Sequence, residues 1–151
     1  MSNFGSVDEV LNFAIEREQE AVDFYSDLAG KVDQEWMKKI FQNFAAEEKG
    51  HKAKLEGIKE GKKLFPAEKK IQDLKIGDYL VEESPTPDMS YQDALILAMK
   101  KEKKAFRLYM DLSEQVDDPD LQSTFLALAQ EEAKHKLRFE VEYDDHVLKE
   151  N

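Results

Sequence analysis

The sequence predicts an all-α fold: a four-helix bundle built from two internal helical-hairpin repeats, with a long crossover connection between helices two and three. Three observations carry this. In four separate stretches apolar residues recur at alternating steps of three and four, the period of a helix that buries one stripe. An offset of 84 residues (135 − 51) lays the second half of the chain on the first without a gap. It sets Glu18 on Glu102, Ala21 on Ala105, Tyr25 on Tyr109, Phe41 on Phe125, Glu48 on Glu132 and His51 on His135. Between the copies, over about residues 63–89, the period lapses in a stretch holding Pro66, Gly77, Pro85 and Pro87. A repeated unit two helices long needs its twin to close a core.

The first helix is expected to start at Ser6, where Ser6 and Glu9 form an S-x-x-E capping box ahead of an amphipathic run. Its stripe reads Leu11, Ala14 or Ile15, Glu18, Ala21 or Val22, Tyr25, Leu28 or Ala29, and Val32. A short turn near Gly30 follows, and Asp33 is the expected cap of a second helix over about Trp36 to Gly61. Its stripe is Phe41, Phe44, Glu48, His51, Leu55 and Ile58, and so short a connection makes the two helices antiparallel neighbours. The stretch 63–89 is too long for a turn and, with Leu64, Phe65, Ile71, Leu74, Ile76, Tyr79 and Leu80, too apolar for a solvated tether, which suits a crossover. Ser90 opens helix three, with Leu95, Ala98 or Met99, Glu102, Ala105 or Phe106, Tyr109, Leu112 and Val116 facing in. Asp118 caps helix four and Pro119 takes its first position. Its stripe is Phe125, Leu128, Glu132, His135 and Phe139. The repeats thus span about 6–62 and 90–149 of a single domain, 1–151.

The totals remove whole classes of function. At 151 residues one domain can bury a core without staples. Having no Cys, the chain can hold no disulfide, zinc–thiolate site or cysteine-ligated cluster, which fits a reducing cytoplasm. No stretch has a membrane-spanning length, and Met1 to Val10 lacks the basic start and apolar run of a secretion signal, so a cytoplasmic protein is expected. A net charge of −11 argues against a nucleic-acid partner.

Six polar groups remain in the stripes: Glu18, Glu48, His51, Glu102, Glu132 and His135. Each Glu-x-x-His pair leaves its helix on one face about a turn apart. An unpaired buried ion costs several kcal/mol, against a net stability of about 5–15 kcal/mol for a whole domain. No Lys or Arg sits in the stripes at those levels, so cations must come from outside the chain. Two divalent ions balance four carboxylates, with two neutral imidazoles completing the set. Oxygen-rich ligation with one imidazole per metal suits iron or manganese, and affinity alone would also admit zinc. Tyr25 and Tyr109, two turns after Glu18 and Glu102, are candidate hydrogen-bond donors to ligating carboxylates. Glu47 and Glu131 fall off the stripe, which points to a surface or supporting place. Glu142 and His146 are expected at a solvated helix end. Trp36 is expected in the core or an interface.

On Glu18 with Tyr25, Glu48 with His51, Glu102 with Tyr109 and Glu132 with His135, nearly the whole sequence resembles the ferritin-like di-iron carboxylate superfamily, most closely the di-iron domain of rubrerythrins. The resemblance implies two iron ions and an oxidoreductase that reacts with peroxide or O2, as a peroxidase or a ferroxidase, in a homodimer. Rubrerythrins proper also carry a rubredoxin-like iron centre on four cysteines. Its absence here implies an external electron donor protein or small reductant. Ala105 stands where the family has a further glutamate, so a more symmetric site is expected. Two other classes fit the same residues: an iron-handling protein, without a cage because the chain ends at Asn151 before a fifth helix, and a bundle whose metal is structural.

Overall fold

The computed structural model describes residues 7–61, Thr86 and 89–145. Four helices of nearly equal length make up almost all of it: α1 (Val7–Lys31), α2 (Glu35–Glu60), α3 (Tyr91–Gln115) and α4 (Pro119–Tyr143). No strand occurs among the described residues. At about 1.5 Å per residue each helix is roughly 38 Å long. α1 packs mainly on α2 and α3 on α4, so the two repeats are two hairpins.

Two apolar clusters fix how the hairpins meet. One joins Val10, Leu11 and Ala14 at the start of α1 to Leu55 near the end of α2, Leu112 and Val116 at the end of α3, and Leu121 and Phe125 at the start of α4. The other joins Tyr25 and Leu28 to Phe41 and Phe44, to Ala94, Leu95 and Ala98, and to Phe139. α1 therefore runs against α2 and α3 and along α4, while α2 and α3 run the same way. The joining segment, with the expected crossover, lies outside the described residues except for Thr86 and Met89. The repeat shows in the packing as well as in the letters. Tyr25 stacks on Phe41 at 6.3 Å and 12°, and their counterparts Tyr109 and Phe125 stack at 6.2 Å and 20°.

The helix starts follow local chemistry. Ser90 Oγ accepts from Asp93 N at 3.0 Å, and Asp118 Oδ2 accepts from Leu121 N at 2.9 Å, with Pro119 in the first turn. The second cap corrects the sequence expectation. Gln34, not Asp33, is the N-cap of α2, and its side chain makes no capping bond. Asp33 stands one residue too early for its carboxylate to serve as the cap, and the preceding turn follows Lys31, not Gly30, which is inside α1. The 84-residue offset, which sets Asp118 on Gln34, already held that answer. Ser6 and His146 lie outside the described residues.

Glu142 is a second correction, because it is 8% exposed and not solvated. It accepts from Tyr91 Oη at 3.2 Å and lies 3.6 Å from Arg138 Nε. The three-four stripe of α4 continues one step past Phe139, and the start of α3 covers that step. Trp36 is 39% exposed and meets Tyr91 edge-on at 5.7 Å, so it caps one end of the bundle without entering the core.

Candidate metal centre

Between the two apolar clusters lies a polar layer to which every helix contributes. α1 supplies Glu18, α2 Glu48 and His51, α3 Glu102, and α4 Glu132 and His135. The four carboxylates are 1–3% exposed, and His135 is 4% exposed. The structure thus brings all six sequence-predicted residues together. They form two overlapping groups, Glu18, Glu48, His51 and Glu132, and Glu48, Glu102, Glu132 and His135. Within each, one ligand atom per residue lies within 4.8 Å of the others. Glu48 and Glu132 belong to both.

Both imidazoles turn Nδ1 inward. His51 Nδ1 lies 2.8 Å from Glu132 Oε1, 3.2 Å from Glu48 Oε1 and 3.7 Å from Glu18 Oε2. His135 Nδ1 lies 3.2 Å from Glu48 Oε1 and 3.6 Å from Glu102 Oε1. The rings stand nearly parallel, with centroids 5.8 Å apart. Two atoms each about 2.1 Å from one ion stand about 3 Å apart when at right angles, the spacing seen here.

The tyrosines cross between hairpins. Tyr25 on α1 donates its O–H to Glu102 Oε1 on α3, and Tyr109 on α3 donates to Glu18 Oε1 on α1 at 2.5 Å. Burial, then the adjacent carboxylates, push both phenols well above 10, so both remain protonated donors. Each bond holds one oxygen of its glutamate and leaves Oε2 without a partner.

Nine buried side-chain polar atoms among the described residues lack a hydrogen bond, and eight of them belong to these six residues. Buried polar atoms are rarely left in this state, so their concentration at one layer fits a bound cation. The proton affinities carry the same imbalance. Burial and the Glu48 charge raise Glu18 to about 8, and burial with the three other carboxylates raises Glu132 well above its usual range. Burial opposes a charged imidazole, yet the carboxylates outweigh it and lift His51 to about 10 and His135 to about 11. Burial would likewise raise Glu48, but the two histidines bring it down to about 2. Without metal, then, protons neutralise the layer. Divalent cations of the right number would replace them.

A cavity of about 50 Å³ lies over the carboxylates between α1 and α3, lined by Ala21, Ala105, Leu108 and Tyr109 and flanked by Arg17 and Lys101. On this measure a water needs about 10–15 Å³, so the space admits a few waters or one very small molecule.

Glu47 is half exposed, as its place off the stripe implies, but its Oε2 lies 2.6 Å from the outward Nε2 of His135. Its counterpart Glu131 lies 3.3 Å from Lys134 Nζ on its own helix. No helix among the described residues is long and apolar enough to cross a membrane.

Among solved structures, the fold is similar to that of a protein from Thermotoga maritima described as ferritin-like and diiron-carboxylate. The TM-score is 0.82 at 21% identity, over 97% of this chain and 99% of that one. A hypothetical protein from Pyrococcus furiosus is similar at TM-score 0.68 and 28% identity, over 91% of this chain and 87% of that one. A search of curated proteins finds no match. The fold is thus the ferritin-like four-helix bundle, and the rubrerythrin family matches residues 9–143, nearly the whole sequence and every residue of the polar layer. The chain belongs to the rubrerythrin family.

Proposed function

We propose that the polar layer holds two iron ions and that the protein is an oxidoreductase reducing peroxide or O2 with electrons from an external donor. What carries the reading is the pair of overlapping ligand groups, four buried carboxylates and two inward imidazoles, in a chain of this family. Glu48 and Glu132, which stand in both groups, would be the shared ligands. Glu18 with His51, and Glu102 with His135, would complete the two ends. When bound, a pair of Fe(II) ions would supply the two electrons that convert peroxide and two protons to two waters, and an external donor would return them.

The chain's own residues provide the setting. Tyr25 and Tyr109 fix Glu102 and Glu18 from the opposite hairpin, so the end ligands are held before metal arrives. The clusters above and below the layer exclude bulk water, and the small cavity over Ala21 and Ala105 suits peroxide or O2 better than any larger substrate. Manganese or zinc would meet the same donors, and only a redox-active pair turns over.

Metal analysis of protein purified from iron-supplemented cells should find close to two ions per chain. Stopped-flow absorbance of the Fe(II)-loaded protein should show oxidation within seconds of mixing with peroxide, with O2 slower or faster according to which is the substrate. One ion or fewer per chain would remove the paired site. Two ions and no reaction with either oxidant would leave a structural metal.

A further inference from the structure

The ligands repeat at one offset, but the residues that support them do not. Residues 47–51 read Glu-Glu-Lys-Gly-His, and 131–135 read Glu-Glu-Ala-Lys-His, so Gly50 stands where the second copy has Lys134. The structure shows a consequence. Lys134 lies one turn beyond Glu131 and within 3.3 Å of its carboxylate, on the surface of α4. Gly50 offers Glu47 no such partner, and Glu47 reaches across to α4, where its Oε2 lies 2.6 Å from His135 Nε2. A groove of about 260 Å³ between α2 and α4, lined by Asn43, Phe44, Glu131 and Arg138, leaves room for that reach.

We propose that Glu47 is a positioning residue that makes the two metal half-sites unequal, the His135 half binding metal more tightly than the His51 half. The inference rests on the metal-centre reading above. The contact is not an in-line hydrogen bond in this structure, but a carboxylate 2.6 Å from Nε2 favours the proton on that nitrogen and, once aligned with it, would fix both the ring orientation and the tautomer of His135. The lone pair of Nδ1 is then aimed at the space beside Glu48 and Glu102. Phe44, edge-on to the ring at 4.7 Å, holds the same orientation from the side. Glu47 is about half exposed, so a bare ion pair there is weakened by solvent. Its effect is exerted through the geometry of the ligand it holds.

The test is a Zn(II) titration of chelator-stripped protein against a chromophoric competitor. The wild type should take up two ions in two resolved steps. In Glu47→Gln the tighter step should weaken by about 10- to 100-fold, the range for loss of such a partner. Gly50→Lys should do the same by drawing Glu47 back to its own helix. A Cβ at position 50 meets nothing within 4 Å, and replacing a mid-helix glycine strengthens the helix, so unfolding cannot account for that loss. Lys134→Gly should act the other way, freeing Glu131 for His51 and narrowing the gap between steps. Nitrogen-15 spectra of the Zn-loaded protein should show a slowly exchanging Nε2–H on His135 that exchanges faster in Glu47→Gln. Two unaltered steps with an unaltered His135 signal in Glu47→Gln would overturn the inference. A wild type that takes up no Zn(II) would instead overturn the metal centre on which it stands.

Discussion

Glu48 and Glu132 differ from Glu18 and Glu102 in one respect that matters: each stands in both ligand groups. Removing a shared ligand should therefore disturb both ions, whereas removing an end ligand should disturb one. Glu48→Gln or Glu132→Gln keeps the shape of the side chain but takes away its charge and one oxygen. Metal content should fall from about two ions per chain to near none, with the circular-dichroism helix signal retained. Glu18→Gln or Glu102→Gln should leave about one. Equal losses in all four would show that the carboxylates are not divided between shared and end roles. Much of this was readable residue by residue. Four acids and two histidines in phase with a buried stripe were enough to nominate the six. Glu142 is the instructive miss, since it continues the same phase but lies toward a chain end, where a solvated helix terminus is the expectation. It is buried because the start of α3 covers it, a fact of packing between helices.

At the scale of the element, α2, α3 and α4 differ in how their starts are satisfied. α3 and α4 have side-chain caps in Ser90 and Asp118, whereas Gln34 leaves α2 without one. Ser90→Ala and Asp118→Ala should each lower stability by about 0.5–2 kcal/mol in urea denaturation. Gln34→Asp should raise it by a comparable amount, because the new carboxylate would accept from amides of the first turn, which the Gln34 side chain does not, and oppose the helix dipole. A Gln34→Asp protein no more stable than wild type would mean that those amides are already satisfied. Capping residues act over three or four positions, so they are legible locally. The sequence still misplaced the cap of α2 by one residue, because Asp33 is the better capping residue while the turn from α1 puts Gln34 at the boundary.

At the scale of the molecule the polar layer lies between two apolar clusters, and pH exposes it. Groups whose folded affinity for protons is raised stabilise the metal-free protein fully below their unfolded values, 4.5 for Glu18 and 6.5 for the histidines. That contribution is lost as pH climbs through about 8, 10 and 11 for Glu18, His51 and His135. Glu48, lowered to about 2, acts in the opposite sense, its contribution present above 4.5 and lost only in acid. Chelator-stripped protein should therefore melt at a lower temperature at pH 9 than at pH 6, and added Zn(II) should raise the melting temperature more at pH 9, where fewer protons compete. A metal-free melting temperature that is flat or rising across that interval would mean that the layer is not neutralised by protons.

The sequence by itself determined which residues share a stripe on each helix, and hence the fold class, the doubling of the hairpin and the six inward polar groups. Those follow from the helical period, which is set within a few residues and written directly in the spacing. Only the tertiary structure decided the relations across helices: that Glu48 and Glu132 stand in both polar groups, that each tyrosine holds the glutamate of the other hairpin, and that Glu47 reaches His135 while Glu131 stays with Lys134. These depend on how four helices are rotated and slid against one another. Packing sets that register, and the period of a single helix does not record it.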